Sequence, residues 1–237
     1  RTGDYAGAQV LRFYQVYRAM VRAKVAMLSS GAGTPGLPPE SRRYLDLAEH
    51  YTATRQPSLV VAHGVSGSGK TRLAEALVER SGAIRVRSDV ERKRLAGLPP
   101  SARPQAAVGE GLYGPEAGAR TYARLAALAE TLLRAGWSVM VDAACLLRAQ
   151  RSLFRDVAER VRAPFAILDV RAPEAVLRQR VASRAAEARD ASDADLAVLT
   201  HQLASLEPLD AEESTRAIRV DTDQPVDLDA LTRRLFL

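Results

Sequence analysis

The spacing of apolar residues changes near residue 58 of the chain. Upstream, apolar residues recur every three or four positions from residue 10 to 28, which predicts an amphipathic helix with one buried stripe. Glycine and proline in Ser29 to Glu40 predict a loop, and a second helix is expected over about residues 39–53. The predicted stripe comprises Val10, Leu11, Tyr14, Tyr17, Met20, Val21, Val25 and Leu28.

From residue 58 onward, short apolar runs alternate with helical patterns. Alternation of this kind predicts an α/β, three-layer fold, with a central parallel five-stranded sheet between helices, over residues 57–237. The N-terminal helical segment, residues 1–56, is too small to form a core alone, so we expect it to pack on a larger domain. The predicted strands cover about residues 58–63, 83–88, 137–143, 165–170 and 216–222.

Composition is typical of a globular protein of reducing compartments. Hydrophobic residues make up 47% of the 237, and Cys145 is the single cysteine, which rules out an internal disulfide. The formal charge is +6, but the arginines are spread along the chain rather than clustered, so the charge is only a weak indication of a nucleic-acid partner. The sequence has no apolar run of membrane-spanning length and no signal-peptide pattern. We therefore expect a cytoplasmic protein.

A glycine-rich bend, "GVSGSGKT", joins the first predicted strand to a helix and matches the phosphate-binding pattern G-x-x-x-x-G-K-[ST]. Its backbone N–H groups would surround the β-phosphate of ATP, Lys70 would reach the β- and γ-phosphates, and the Thr71 hydroxyl would hold Mg²⁺. The predicted binding residues are Gly64, Val65, Ser66, Gly67, Ser68, Gly69, Lys70 and Thr71.

Two carboxylates follow predicted strands at the sheet edge where such a loop binds its ligand. Asp89, in "RSDVERKR", would accept a proton from a substrate hydroxyl, while Arg92 holds the substrate. Ser88 and Glu91 also fit a helix-capping box, and both roles can coexist. Asp142, after "WSVMV", would orient Mg²⁺ with Thr71, or it would only cap the next turn.

A helix rich in arginine, followed by a polar stretch, predicts a mobile lid over about residues 178–200. Guanidinium groups neutralise charge on a transferring phosphoryl group without reacting. Arg180 and Arg184 lie one helical turn apart, so both are candidate catalytic residues; a merely solvated helix face is the alternative.

These motifs resemble the P-loop kinases of small molecules, most closely the bacterial gluconate kinases. The resemblance rests on the loop and on Gln202, "LEPL" and "VDTDQP", which follow the lid in that order. It implies that the lid arginines contact phosphates, that the segment near the last strand lies beside the adenine and that Asp89 faces the substrate. Residues 95–121 and the setting of Asp89 depart from the gluconate-kinase pattern, which leaves the acceptor open.

A second resemblance covers nearly the whole chain. "RSDVER" and "VDAACLLRAQR" resemble the ATP-binding halves of bacterial two-domain proteins whose other half is similar to aminoglycoside phosphotransferases. "RFYQVYRAMVRAKVAML" resembles the last helices of that other half. The resemblance implies a covalently linked N-terminal phosphotransferase-like domain, of which residues 1–56 are the tail.

Together these features predict an ATP- and Mg²⁺-dependent kinase that phosphorylates a hydroxyl of a small metabolite, of the sugar or sugar-acid class. Two alternatives stay open at this point. One is a kinase of polynucleotide 5′-hydroxyls, which the basic pI near 9.8 favours slightly. The other is a regulatory module that binds ATP, or hydrolyses it, and transfers nothing.

Overall fold

The computed structural model describes residues 3–30, 36–53, 56–102, 111–187 and 196–236, and for residues 184–187 it describes the backbone alone. The chain forms two compact units, Arg1–Arg55 and Gln56–Leu237. The centre of the predicted lid and most of the loop before residue 111 lie outside the described residues. No helix in the described ranges is long and apolar enough to span a bilayer.

The first unit is a pair of helices, α1 (Ala8–Ser29) and α2 (Pro39–Thr52). The buried side chains of α1 are alanines, and the Ser41 hydroxyl of α2 donates to the carbonyl of Ala23 at 3.1 Å. The eight residues of the predicted stripe are exposed in the part of the chain that the structure describes, from Val21 at 42% to Leu28 at 72%, so the stripe does not form the contact between the two helices. Small alanine side chains let two backbones approach closely, so the contact follows Ala19 and Ala23 rather than the larger residues.

The second unit is built on a parallel sheet in the order β2-β3-β1-β4-β5, which confirms the predicted fold class. The central strand β1 is fully buried, as its continuous apolar sequence predicts. With all strands parallel, their carboxyl ends meet at one edge of the sheet. The strands are β1 (Leu59–His63), β2 (Ile84–Arg87), β3 (Val139–Asp142), β4 (Phe165–Arg171) and β5 (Ala217–Asp221).

Helices cover both faces of this sheet. Val60 and Ala62 of β1 pack in one apolar cluster with Leu73 and Leu77 of α3 and with residues of α10. Because side chains alternate along a strand, Leu59 and Val61 face the opposite side, where α6 contacts β1 and α5 contacts β2 and β3. The helices of this unit are α3 (Lys70–Ser81), α4 (Ser88–Leu95), α5 (Pro115–Arg134), α6 (Arg148–Val161), α7 (Glu174–Glu187), α8 (Leu196–Ser205), α9 (Ala211–Thr215) and α10 (Leu228–Phe236).

A buried arginine of α6 joins three separate segments of the chain. Arg151 is 1% exposed, and its Nε and Nη2 donate to the two carboxylate oxygens of Glu213 at 2.7 and 2.9 Å. Burial raises the pKa of Glu213, but the bonds from Arg151 and the Asp210 amide outweigh it and leave that pKa below its usual range. The guanidinium also donates to the carbonyls of Cys145, Leu146, Glu207 and Pro208.

We predict that Arg151→Met destabilises the chain by about 3–5 kcal/mol, because it leaves the Glu213 charge buried without its partner. Arg155→Met, on the same helix, is the matched control: its carboxylate partners are 54–60% exposed, so the loss should stay below about 1 kcal/mol. Urea unfolding of the whole chain measures both. Adding Glu213→Leu to Arg151→Met should recover part of the loss, and equal losses for the two single variants would contradict the assignment.

Candidate nucleotide and phosphoryl-transfer site

The glycine-rich loop connects β1 to α3 at the carboxyl edge of the sheet. Gly64 has a φ of +142°, and a Cβ there would lie 2.4 Å from the carbonyl oxygen of Val170. Gly67 has a φ of +81°, and its Cβ would lie 2.7 Å from the carbonyl oxygen of Leu177. Both positions therefore require glycine, for backbone conformation and for the close approach of β4 and α7.

Several backbone polar groups of the loop are bound by neighbouring segments. Groups buried in this way cost free energy unless they find partners, so these contacts fix the shape of the loop. The contacts are Gly64 N–H to the carbonyl of Ala144 (3.1 Å), Ser66 N–H to Gln202 Oε1 (2.7 Å), the Arg180 guanidinium to the carbonyl of Gly67 (3.3 Å) and the Thr222 hydroxyl to the carbonyl of Ser68 (2.7 Å).

Positive charge lies at the other end of the loop. The Lys70 ammonium donates to the carbonyl of Val65 at 2.7 Å and to the Ser68 hydroxyl at 3.4 Å. Helix α3 begins at Lys70 after Gly69 in the left-handed conformation, and no side chain of the described residues caps it. The positive end of the helix dipole and a lysine thus face the same place, an arrangement suited to phosphate.

Thr71 and Asp142 lie together beside this loop. The Thr71 hydroxyl donates to Asp142 Oδ1 at 3.3 Å, while Asp142 Oδ2 is buried and has no hydrogen-bond partner among the described residues. Burial raises the pKa of Asp142, and the charges of Arg87, Lys70 and Arg85 oppose that shift. A hydroxyl beside a carboxylate is an oxygen donor set that fits Mg²⁺, which prefers oxygen ligands and keeps several waters.

Asp89 lies just past the end of β2, in the first turn of α4. The register pairs Arg87, the last residue of β2, with Asp142, the last residue of β3. Asp89, two residues after Arg87, therefore lies at the same carboxyl edge of the sheet as Asp142. Asp89 is near enough for its charge to raise the pKa of Asp142. Arg92 donates to Asp89 Oδ1 at 3.1 Å, and its guanidinium lies 5.4 Å from the centre of the Tyr113 ring.

The predicted capping box at the start of α4 is wrong. The helix begins with Ser88 itself, after Arg87, and shows no side-chain capping bond. The Ser88 hydroxyl donates to the carbonyl of Asp142 at 3.4 Å, and Glu91 forms ion pairs with Arg94 and Arg124. Ser88 thus bonds a carbonyl on the neighbouring strand and Glu91 pairs with two arginines, in place of the mutual capping bonds that the sequence spacing predicts.

The two predicted lid arginines differ in what the structure describes. Arg180 donates to the Thr222 hydroxyl at 2.8 Å and to the Thr222 carbonyl at 2.9 Å, besides its bond to Gly67. These contacts attach α7 to the outer side of the glycine-rich loop. Arg184 lies in α7 by its backbone, but its side chain is outside the described residues, as are residues 188–195 of the predicted lid.

Sequence reasoning missed several residues that shape the site. Arg85 and Arg87 lie 3.6 and 3.5 Å from Asp142 Oδ2, and Thr222 joins the end of β5 to the loop. The sequence indicates Gln202 only as part of the C-terminal resemblance to gluconate kinases and predicts no contact between this residue and the loop. Strand alternation could have signalled the arginine pair, since residues 85 and 87 share a face of β2.

A family model described as an AAA domain matches residues 59–209, more than half of the chain. An uncharacterized protein of Mycobacterium tuberculosis (strain H37Rv) is 32% identical over 142 residues, which are 60% of this chain and 28% of that protein. The chain therefore matches less than a third of the length of this curated relative.

Solved structures with the same architecture include three kinases. A sugar kinase from Janibacter sp. HTCC2649 is 24% identical with a TM-score of 0.53, over 75% of this chain and 91% of that one. A gluconokinase from Sinorhizobium meliloti 1021 is 25% identical with a TM-score of 0.50, over 77% and 91%. The APS kinase CysC of Mycobacterium tuberculosis, in complex with AMPPNP and APS, is 19% identical with a TM-score of 0.54, over 76% and 95%.

The family match spans the glycine-rich loop and both carboxylate positions. The chain belongs to the AAA domain family, and its second unit has the P-loop kinase fold.

Proposed function

We propose that the chain is a Mg²⁺-dependent phosphotransferase that moves the γ-phosphoryl group of ATP to a hydroxyl of a small metabolite. The observation that carries the proposal is the Asp89–Arg92 pair at the sheet edge that also holds the glycine-rich loop and Asp142. A module that only binds ATP needs the loop and the metal-binding pair, but it needs no carboxylate beside them. The pair therefore favours transfer over simple binding.

On the nucleotide side, Lys70 and the start of α3 stabilise the β- and γ-phosphates. Phosphoryl transfer involves little covalent participation by the protein, so positioning and charge stabilisation supply most of the rate. Mg²⁺, held by Thr71 and through water by Asp142, would neutralise phosphate charge. Arg180 keeps the loop in shape through Gly67, and Arg184 is proposed to contact the transferring group from the lid.

On the acceptor side, Asp89 Oδ takes the proton as the acceptor oxygen bonds to the γ-phosphorus and the bond from that phosphorus to the bridging oxygen of ADP breaks. The Arg92 guanidinium donates to Asp89 Oδ1 at 3.1 Å and so orients the carboxylate that takes the proton. The same guanidinium lies 5.4 Å from the centre of the Tyr113 ring, and we propose that it also holds a polar group of the substrate.

Acceptors of the sugar or sugar-acid class are supported by analogy with the sugar kinase and the gluconokinase, whose fold this chain shares. A polynucleotide 5′-hydroxyl is the alternative acceptor, and its binding should weaken steeply as salt rises. We further propose that residues 1–56 continue a linked phosphotransferase-like domain and that the protein works in the cytoplasm. The greater length of the curated relative supports the linked domain.

The acceptor role of Asp89 predicts that Asp89→Asn lowers kcat by about 10²–10⁴-fold while the KM for ATP changes little. The measurement is ADP release across a panel of sugars, sugar acids and a DNA 5′-hydroxyl. Asp156→Asn, an exposed position on α6, is the matched control and should behave as the unaltered chain. ADP release that ignores both the acceptor and Asp89 would favour an ATPase or a regulatory module instead.

Lys70→Ala should abolish phosphoryl transfer and weaken ADP binding, because it removes the ammonium nearest the loop. The fold should persist, since Lys70 is half-buried and its ammonium bonds polar atoms of the loop. Turnover assays, calorimetric ADP titration and circular dichroism test these points, with Lys24→Ala in the first unit as control. Normal turnover by Lys70→Ala would refute the mechanism.

In the presence of Mg²⁺, Asp142→Asn should bind ADP about 10–100-fold more weakly than the unaltered chain, because it loses the gain in affinity that Mg²⁺ provides. The unfolding temperature of the variant at pH 8 should nevertheless be unchanged or higher. Burial raises the pKa of Asp142, so the folded chain disfavours the ionised form, and this cost grows as pH rises through that pKa. The stability advantage of the amide should vanish in acid, where the carboxylate is protonated in both states. A large drop in unfolding temperature at pH 8 would contradict this assignment.

A further inference from the structure

One peptide group of the loop is held at both ends by side chains. The carbonyl of Val65 accepts from the Lys70 ammonium at 2.7 Å, and the N–H of Ser66 donates to Gln202 Oε1 at 2.7 Å. That carbonyl and that N–H belong to the same peptide bond. The two side chains approach it from α3 and from α8, helices far apart in the sequence.

A trans peptide is planar, and its C=O and N–H point in opposite directions. An acceptor that fixes the direction of the N–H therefore fixes the direction of the carbonyl as well. The ammonium on the carbonyl also polarises the peptide and strengthens the N–H as a donor, so the two hydrogen bonds reinforce each other. Gln202 and Lys70 thus bond opposite ends of the same peptide.

The helix that carries Gln202 is firmly placed against the loop. Leu199, one turn earlier in α8, is completely buried in a cluster with Val65 of the loop and with Leu177 and Val181 of α7. Gln202 lies three residues later and so on the same face of the helix. Apolar packing thus sets the distance between α8 and the loop, and the carboxamide sets the direction of the peptide.

We propose that Gln202 is a positioning residue of the nucleotide site, which acts through the Val65–Ser66 peptide to hold the Lys70 ammonium where the phosphates bind. This inference rests on the nucleotide site of the proposed function and is independent of the acceptor. Without an acceptor for the Ser66 N–H, the peptide turns more freely and its carbonyl no longer fixes the ammonium. Nucleotide affinity then falls, although no group that touches the nucleotide has been removed.

The test compares three variants of the whole chain: Gln202→Met, which removes the acceptor at similar length, Gln202→Glu, which keeps an acceptor oxygen, and His201→Met, an exposed neighbour on α8. The chain has only three lysines, Lys24, Lys70 and Lys93, so the side-chain nitrogen signals of a ¹⁵N-lysine sample are few. Lys70→Ala identifies the Lys70 signal. Calorimetric titration gives the affinity for ADP without an acceptor.

We expect Gln202→Met to weaken ADP binding about tenfold, to shift the Lys70 nitrogen signal and to speed hydrogen exchange at the Ser66 amide. Gln202→Glu should keep the slow Ser66 exchange and the Lys70 signal near its original position. His201→Met should change none of the three. These readouts use no acceptor, so they stand even if no hydroxyl substrate is ever phosphorylated.

Three results would overturn the proposal. An unchanged Lys70 signal and ADP affinity in Gln202→Met would reduce Gln202 to a local cap of one amide. Tighter ADP binding in that variant would mean that the carboxamide competes with phosphate for Ser66. Equal disturbance of the Lys70 signal by Gln202→Glu and Gln202→Met would mean that the acceptor oxygen is not what matters.

Discussion

Some backbone polar groups of a phosphate-binding loop must bond to the protein, while others must remain available to the phosphates. The arrangement of the other residues in this site depends on that requirement. Here the outward groups are satisfied by β5, α7, α8 and the segment after β3. Each partner is a side chain or carbonyl far away in the sequence. The loop therefore owes its shape to tertiary contacts as much as to its glycines. The helix dipole of α3 acts on a loop whose conformation these contacts have already fixed.

Each carboxylate of the site has its own arginine partners. Asp142 lies between Arg85 and Arg87, while Asp89 is paired with Arg92. The first carboxylate is buried, and that burial raises its pKa, so a bound cation would offset the cost of ionising it there. The second lies at the start of α4, where Arg92 donates to one of its oxygens. Two acids at one sheet edge thus acquire different proposed roles from their surroundings.

Much of the fold could be predicted from the sequence because strands and helices place apolar residues at characteristic spacings. Those spacings can be recognised within a few neighbouring residues. The sheet, its flanking helices and the loop all follow from such patterns. Helix α9 was missed because it has only five residues and shows no apolar stripe. The contacts of Ser88, Arg180 and Gln202 join distant segments, and no local spacing encodes them. The contact between α1 and α2 also escaped prediction, since the helix pair packs through alanine.

The position of β1 at the centre of the sheet divides the site into two halves. Loop contacts come mostly from the β4–β5 side, whereas Asp89, Arg92 and Asp142 come from the β2–β3 side. Substitutions that reshape the proposed acceptor end can therefore accumulate in α4 while the loop contacts stay unchanged. A scaffold divided in this way is readily evolvable: if the proposed function holds, descendants can change the acceptor and retain the same nucleotide site.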